Sequence, residues 1–399
     1  MTSDEEPRSA AQREEPAEVS AKSLFLSFLR LGLTAFGGPA MIAYIGVMAV
    51  QRKKWLDQPT FKTGVALAQS IPGATAMQSA AYVGLRVQGI PGALASYVGF
   101  GLPAFLFMVI LSSLYAASRD LPWVTSLFYG LQVIVVAVVA NATLTFGRTA
   151  FKGYMDVLVA AGSAGAFWLG VSPFYVIVGA AILAIIVFKT EAAQAPAGAR
   201  AAGGLPITRI VALPLAVVIA LLCLYLAKPK LFTLALLMLK IDLFAFGGGF
   251  ASLPLMLQEV VHVQGWMDEK TFMDGIALGQ ITPGPIVITA SFVGYLLRGL
   301  PGAVIATIAI FTPSFVLLVI IAPFFDRLKT SVLFSKAIKG ILASFVGLLF
   351  FVTLKFALAV PWDVVRAVLA VATFVALLRK IDILYIVPAG AALSLFLLR

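Results

Sequence analysis

Long apolar stretches separated by short polar ones cover most of the chain. They run at about residues 24–50, 61–85, 90–117, 123–146, 154–170, 173–188 and 208–227, and the same rhythm then restarts and continues to the C-terminal end. Several approach the roughly 20 residues that carry a helix across a bilayer. They lack the alternating segments of about ten residues that mark an outer-membrane barrel. The pattern predicts an all-α polytopic membrane protein. The first two stretches carry interruptions of their own, Phe36-Gly-Gly-Pro39 and Gln69-Ser-Ile-Pro-Gly73. Proline lacks the N–H that a helix needs, and glycine weakens any helix it joins, so both stretches should break there. At membrane depth, broken backbone survives only where protein or a water-filled cavity satisfies it.

The interruptions recur. Phe246-Gly-Gly-Gly249 answers Phe36-Gly-Gly-Pro39, and Gln280-Ile-Thr-Pro-Gly284 answers Gln69-Ser-Ile-Pro-Gly73. Trp266-Met-Asp268 answers Trp55-Leu-Asp57, Gly275 answers Gly64, Gly299-x-Pro301 answers Gly89-x-Pro91, and Pro313-x-Phe315 answers Pro103-x-Phe105, always at an offset of 210 or 211. The chain therefore divides into a polar tail (1–20) expected to be disordered, a first repeat (21–188), an Ala/Gly/Pro-rich linker (189–207), a linking transmembrane helix (208–227) and a second repeat (228–399). Corresponding segments lie seven apart. Seven is odd, so the two repeats should point in opposite directions, the architecture of many secondary transporters.

Charge refines the topology. The chain carries 29 Lys and Arg against 18 Asp and Glu, and its loops test the preference of cytoplasmic loops for Lys and Arg. With every segment spanning and the N-terminus inside, Arg52, Lys53 and Lys54 face outward. If the first two segments of each repeat are instead re-entrant hairpins folded at their breaks, this basic loop lies inside and the bias improves, while the repeats stay inverted. No signal peptide is evident in the polar tail. A single cysteine, Cys223, can make no internal disulfide, and a single histidine, His262, cannot build a zinc site or a catalytic triad alone. No P-loop occurs. These features point away from an enzyme, a cofactor, a bound metal or a nucleic-acid partner, and toward transport driven by a gradient, counter-substrate or membrane potential.

The paired FGG and Q-x-x-PG signatures, with W-x-D between them, resemble the chromate ion transporter family in its long two-repeat form. The resemblance covers about residues 24–190 and 231–398. It implies export of chromate, a tetrahedral dianion shaped like sulfate, across the cytoplasmic membrane with consequent chromate resistance. The chain departs from the family pattern at Pro39-Ala-Met-Ile-Ala43, which lacks the His many members carry, and at Ala74, where the second repeat keeps Pro285.

A dianion at membrane depth must exchange its hydration for donors and positive charge. Half-helices that begin after the breaks would aim free N–H groups and positive dipole ends at a central anion. The candidate substrate-binding residues are accordingly Gly37, Gly38, Pro72 and Gly73 in the first repeat and Gly247, Gly248, Pro283 and Gly284 in the second. Gln69, Gln280, Thr75 and Thr282 are the side-chain donors beside them, with Gln78, Ser79 and Thr289 nearby. Arg30 and Lys240 lie at equivalent positions two turns before the FGG runs, where intramembrane cations usually face a cavity or a partner. They either serve the anion path, or Arg30 snorkels to the cytoplasmic interface and Lys240 pairs with Asp242 or reaches the outer interface. Asp242 and Asp274 have no acidic counterpart (Gly32 and Thr63) and are the candidate proton-coupling groups. Asp57 and Asp268 read as helix N-caps, and Trp55 and Trp266 as interfacial aromatics. Gly162, Gly165 and Gly170 provide small-residue spacing for helix packing, within the chain or in a homodimer. Uptake or exchange of sulfate or another oxyanion by the same site, and an anion channel, are the competing functions.

Overall fold

The computed structural model describes residues 19–36, 39–188 and 207–397, so the N-terminal tail, Gly37, Gly38 and most of the linker lie outside the described residues. Within them the chain is helical. The first repeat holds α1 (Ala21–Thr34), α2 (Pro39–Gly46, continued by a π-helical turn Val47–Arg52), α3 (Gln58–Ser70), α4 (Thr75–Ser118), α5 (Pro122–Ala150), α6 (Tyr154–Trp168) and α7 (Pro173–Val187). After α8 (Ile207–Ala227) come α9 (Pro229–Phe244), α10 (Ser252–Met256, again continued by a π-helical turn, Leu257–Val263), α11 (Glu269–Ile281), α12 (Thr289–Ile321), a short α13 (Phe325–Leu328), α14 (Val332–Ala359), α15 (Val364–Leu378) and α16 (Ile383–Leu397). Four continuous helical stretches among the described residues are long and apolar enough to cross a bilayer: Thr75–Ser118, Pro122–Ala150, Ile286–Leu328 and Val332–Ala359.

The interrupted stretches fold back on themselves. A straight helix would put Phe28 and Trp55 about 40 Å apart, yet their rings stack with centroids 6.4 Å apart. In the second repeat the Nζ of Lys240 on α9 reaches the Oε1 of Glu259, beyond the FGGG break, at 2.7 Å. The next hairpin is equally tight, since a Cβ at Gly64 would fall into the Tyr82 ring and one at Gly275 into the Phe292 ring. With 14 residues, α1 is about 21 Å long. That is well short of the ~30 Å hydrocarbon core, as a re-entrant half-helix requires.

Two helices that look continuous change direction at matched points. Gln88 and Gly89 interrupt α4, and Arg298 and Gly299 interrupt α12; the glycines take φ of 65° and 60°. A left-handed backbone of this kind favours glycine, and the proline two residues on has the fixed φ that suits the start of the next helix. The G-x-P signature of each repeat is therefore the joint between a half-helix and the membrane span that follows it.

The repeats are inverted. The hydroxyls of Thr143 on α5 and Thr353 on α14, equivalent residues, meet at 3.2 Å. One turn away Gly147 faces Val346, so the numbering rises along one helix as it falls along the other. Equivalent helices that cross antiparallel at equivalent residues place a pseudo-two-fold axis between them, perpendicular to both. Around this axis α4 packs against α12 and α5 against α14, with α1 on α4 and α9 on α12 in the same relation.

Candidate functional site at a crossed junction of helix breaks

The two repeats interlock at their breaks. The N–H of Gly73 donates to the carbonyl of Ala245 at 2.9 Å, and the N–H of Gly284 donates to the carbonyl of Ala35 at 3.0 Å. Ala35 and Ala245 directly precede the FGG runs. Each Pro-Gly turn thus sits on the other repeat's FGG break, and the pairing is two-fold. Gly73 and Gly284 adopt φ of 112° and 107°, a region L side chains rarely enter. A Cβ on Gly284 would lie 2.8 Å from the Cβ of Ala104, and one on Gly73 would overlap the side chain of Ser314, the residue equivalent to Ala104. Conformation and space both require glycine at the two turns.

Helices open from this junction. After Ala74, α4 begins at Thr75, where the first backbone N–H groups have no intrahelical acceptor and carry the positive end of the helix dipole. The Thr75 hydroxyl faces Gly248, 3.2 Å from where a Cβ would stand; Gly248 itself takes φ of 94°. Across the pseudo-axis the arrangement is less polar. A short 3-10 turn, Ile286–Ile288, precedes α12, and Ile286 and Val287 cover Gly249. Thr282 and Thr289 are buried but turn their hydroxyls back on the carbonyls of Gly279 and Ile286, and Ser79 does the same on Thr75.

The paired glutamines differ. Gln69 is exposed, whereas the Nε2 of Gln280 is buried with no hydrogen-bond partner in the protein. A buried amide donor without a partner is costly and rare, and here it lies three residues before the second Pro-Gly turn. Gln78 is fully buried; its Nε2 binds the carbonyl of Pro72 at 2.6 Å and approaches that of Ser314 at 3.5 Å, which ties the first turn to α12.

The charged candidates separate into different settings. Lys240 does not pair with Asp242. Its ammonium binds Glu259 at 2.7 Å and stands 3.8 Å from the Phe174 ring centroid, so its charge is already engaged. Arg30 lies on the exposed side of α1, away from the buried face of Leu24, Phe28 and Gly32. Asp242 is fully buried and accepts from the backbone N–H of Ser314 at 2.8 Å, with its Oδ1 unpartnered. That bond stands where Pro313 disrupts the helical ladder of α12. Tyr97, from the other repeat, donates to the carbonyl of Phe311 at 2.8 Å and meets the Ser314 hydroxyl at 2.9 Å. Asp274 on α11 is also buried and accepts from Tyr115 of α4 and Gln132 of α5, each at 2.8 Å. The glycines Gly162, Gly165 and Gly170 face open space and pack no helix among the described residues.

Asp57 and Asp268 cap α3 and α11, accepting from the N–H of Thr60 at 2.8 Å and Thr271 at 2.7 Å. The hydrogen bonds from Thr60 hold the Asp57 carboxyl below the usual carboxylate range. Ser314, Tyr97, Tyr115, Gln132 and Glu259 join these networks without having been expected. Only Ser314 had a sequence signal, its place beside the repeated Pro313-x-Phe315.

Inverted repeats, re-entrant breaks that meet at one junction, and long apolar spans define a polytopic membrane protein built as a transporter. The sequence model of the chromate transporter family matches residues 22–185 and again residues 232–395. The chain belongs to this chromate transporter family. It is 45% identical to an uncharacterized transporter of Methanocaldococcus jannaschii over 95% of both chains. It is 31% identical to a chromate transport protein of Cupriavidus metallidurans, covering 93% of this chain and 92% of that one, and 30% identical to one of Pseudomonas aeruginosa, covering 84% and 80%. No solved structure matches.

Proposed function

We propose that the chain is a secondary active transporter that exports chromate across the cytoplasmic membrane by alternating access, and so confers chromate resistance. The observation that carries this reading is the crossed pair of hydrogen bonds from Gly73 to Ala245 and from Gly284 to Ala35. It brings the breaks of both repeats to one junction on the pseudo-two-fold axis, where a substrate site of an inverted-repeat transporter belongs. The first turn of α4, the Thr75 hydroxyl beside Gly248 and the unpartnered Gln280 amide supply donors suited to a tetrahedral oxyanion, with Gly37 and Gly38 completing the first FGG break. The names of the Cupriavidus and Pseudomonas relatives support chromate as the substrate. The basic loop at Arg52, Lys53 and Lys54 supports a cytoplasmic N-terminus, and Asp242 and Asp274 are the groups through which proton coupling would act.

The test is purified protein in liposomes with labelled chromate outside, assayed with sulfate inside, with a pH gradient, and with neither. Accumulation under one driving force is expected. No chromate movement in any arm, alongside movement of another oxyanion, overturns the substrate assignment, and a conductance far above carrier turnover overturns the transporter in favour of a channel.

A further inference from the structure

The two equivalent half-helices α3 and α11 sit in unlike surroundings. α11 packs against α4, α5, α12, α14 and α16, and every residue from Phe272 to Gly279 is buried. α3 packs mainly on α4 and α2 and buries only Phe61, Gly64, Leu67 and Ala68. Its other side presents Lys62, Ala66 and Gln69 at helical spacing i, i+4 and i+7, all exposed. At the equivalent places on α11 stand Met273, Ala277 and Gln280.

The exposed face of α3 is polar, unlike the faces this protein turns to lipid. The exposed positions of α15 include Val364, Val368, Val371 and Val375, and those of α7 include Ile182 and Ile186. Polar side chains on a membrane-embedded helix face a water-filled cavity or a partner rather than lipid. In the closed counterpart, Asp274 fastens α11 to α4 and α5 through Tyr115 and Gln132. The equivalent positions in the other half are Thr63, Phe325 and Leu342, which cannot reproduce that network.

Building on the transporter reading, we infer that the Lys62–Gln69 face of α3 is the wall of a water-filled access path for a dianionic oxyanion. The pseudo-symmetric path past α11 is shut by the Asp274–Tyr115–Gln132 latch. Lys62 supplies positive charge on the open side. Exchange of the two arrangements opens one path as it closes the other, and the one-sided latch biases the empty protein toward the state with α3 exposed.

Matched cysteines test this. In a Cys223→Ala background, Ala66→Cys and Ala277→Cys place the same small side chain at equivalent positions, one exposed and one 2% exposed. A charged, membrane-impermeant thiol reagent should label Ala66→Cys, and should label Ala277→Cys about tenfold more slowly or less, because a minor conformer is populated at roughly 10% or below. Adding Tyr115→Phe or Gln132→Leu should raise labelling at position 277 several-fold. Chromate should protect position 66, and Lys62→Gln should weaken that protection. Equal labelling of the two cysteines, or labelling of position 66 by lipid-soluble reagents alone, overturns the path. Unchanged labelling at position 277 in both latch variants, with each protein monodisperse in detergent, overturns the latch. Labelling reports accessibility without turnover, so asymmetric labelling in a protein that fails to move chromate would break the substrate reading and leave the path standing.

Discussion

The two halves of this protein share their breaks and differ in what holds them. At the junction the symmetry is close, with Gly73 on Ala245 and Gly284 on Ala35. Away from it equivalent positions have exchanged chemistry. Asp156 on α6 is buried, accepts from the N–H groups of Lys152 and Gly153, and lies 3.5 Å from Lys339 on α14. Its counterpart on α15 is Arg366, which stands over the ring of Tyr129, the residue equivalent to Lys339. In one half a buried carboxylate is met by a cation from a distant helix; in the other the cation pairs locally with Asp363, three residues earlier, and lies over the Tyr129 ring. Backbone geometry imposed by the breaks is what both halves must keep; side-chain interactions around it are free to diverge, and divergence lets two states of an inverted repeat differ in energy.

The largest expected effect tests the shared part. Gly73→Val and Gly284→Val each force a branched side chain into a positive φ and into occupied space, with a strain of about 1–3 kcal/mol from the backbone alone. Both should abolish chromate transport in liposomes and lower the melting temperature in detergent. Gly89→Ala, also at positive φ but with nothing near a Cβ, should be milder. Normal transport by either valine variant would break the idea that the crossed turns form the core of the site.

The second test sharpens the divergent part. Lys339→Met leaves Asp156, whose side chain is 1% exposed, with only its backbone donors, and should cost about 1–3 kcal/mol. Arg366→Gln loses the local ion pair with Asp363 and the contact with the Tyr129 ring, each worth about 0.5–1 kcal/mol. Thermal unfolding of the two variants in the same detergent should show the larger loss for Lys339→Met, and equal losses would show that the difference in partners carries no energetic asymmetry.

Smaller still is the contrast between the equivalent cations. Lys240→Gln leaves Glu259, whose side chain is 8% exposed, without its cation and should lower both stability and transport. Arg30→Gln should leave stability unchanged, and transport in that variant reads directly whether Arg30 serves the anion. Unchanged transport in both variants ends any role for the pair. The smallest effect is a matched one: Asp57→Ala and Asp268→Ala each remove an N-cap and should destabilise modestly and equally. Because hydrogen bonding lowers the Asp57 pKa in the folded protein, its contribution is present above the ordinary carboxylate pKa and is lost as pH falls through the lowered value. Asp57→Ala should therefore be less acid-labile relative to its own neutral-pH stability.

Much of this architecture was legible in the residues. Proline and glycine act on the backbone locally, so Pro72-Gly73, Pro283-Gly284 and the FGG runs announced their breaks. The constant offset of their recurrence announced the repeat, and its odd segment count the inversion. The caps at Asp57 and Asp268 were equally local. Partners of charged side chains were not legible. Asp242, two residues away, was one of the partners open to Lys240, but two residues apart on a helix point to different sides. Fold-back at the FGGG break instead delivers Glu259.

By itself the sequence determined the helices, their breaks, the inverted duplication and the family, because each depends on backbone preferences and patterns that act over a few residues or repeat along the chain. The tertiary structure alone decided that each Pro-Gly turn seats on the opposite repeat's FGG break. It also decided that Asp274 is bound by Tyr115 and Gln132, and that α3 is exposed where α11 is enclosed. Those features come from contacts between segments far apart in the chain, and nearly identical motifs can enter such contacts differently once the two halves close around one axis.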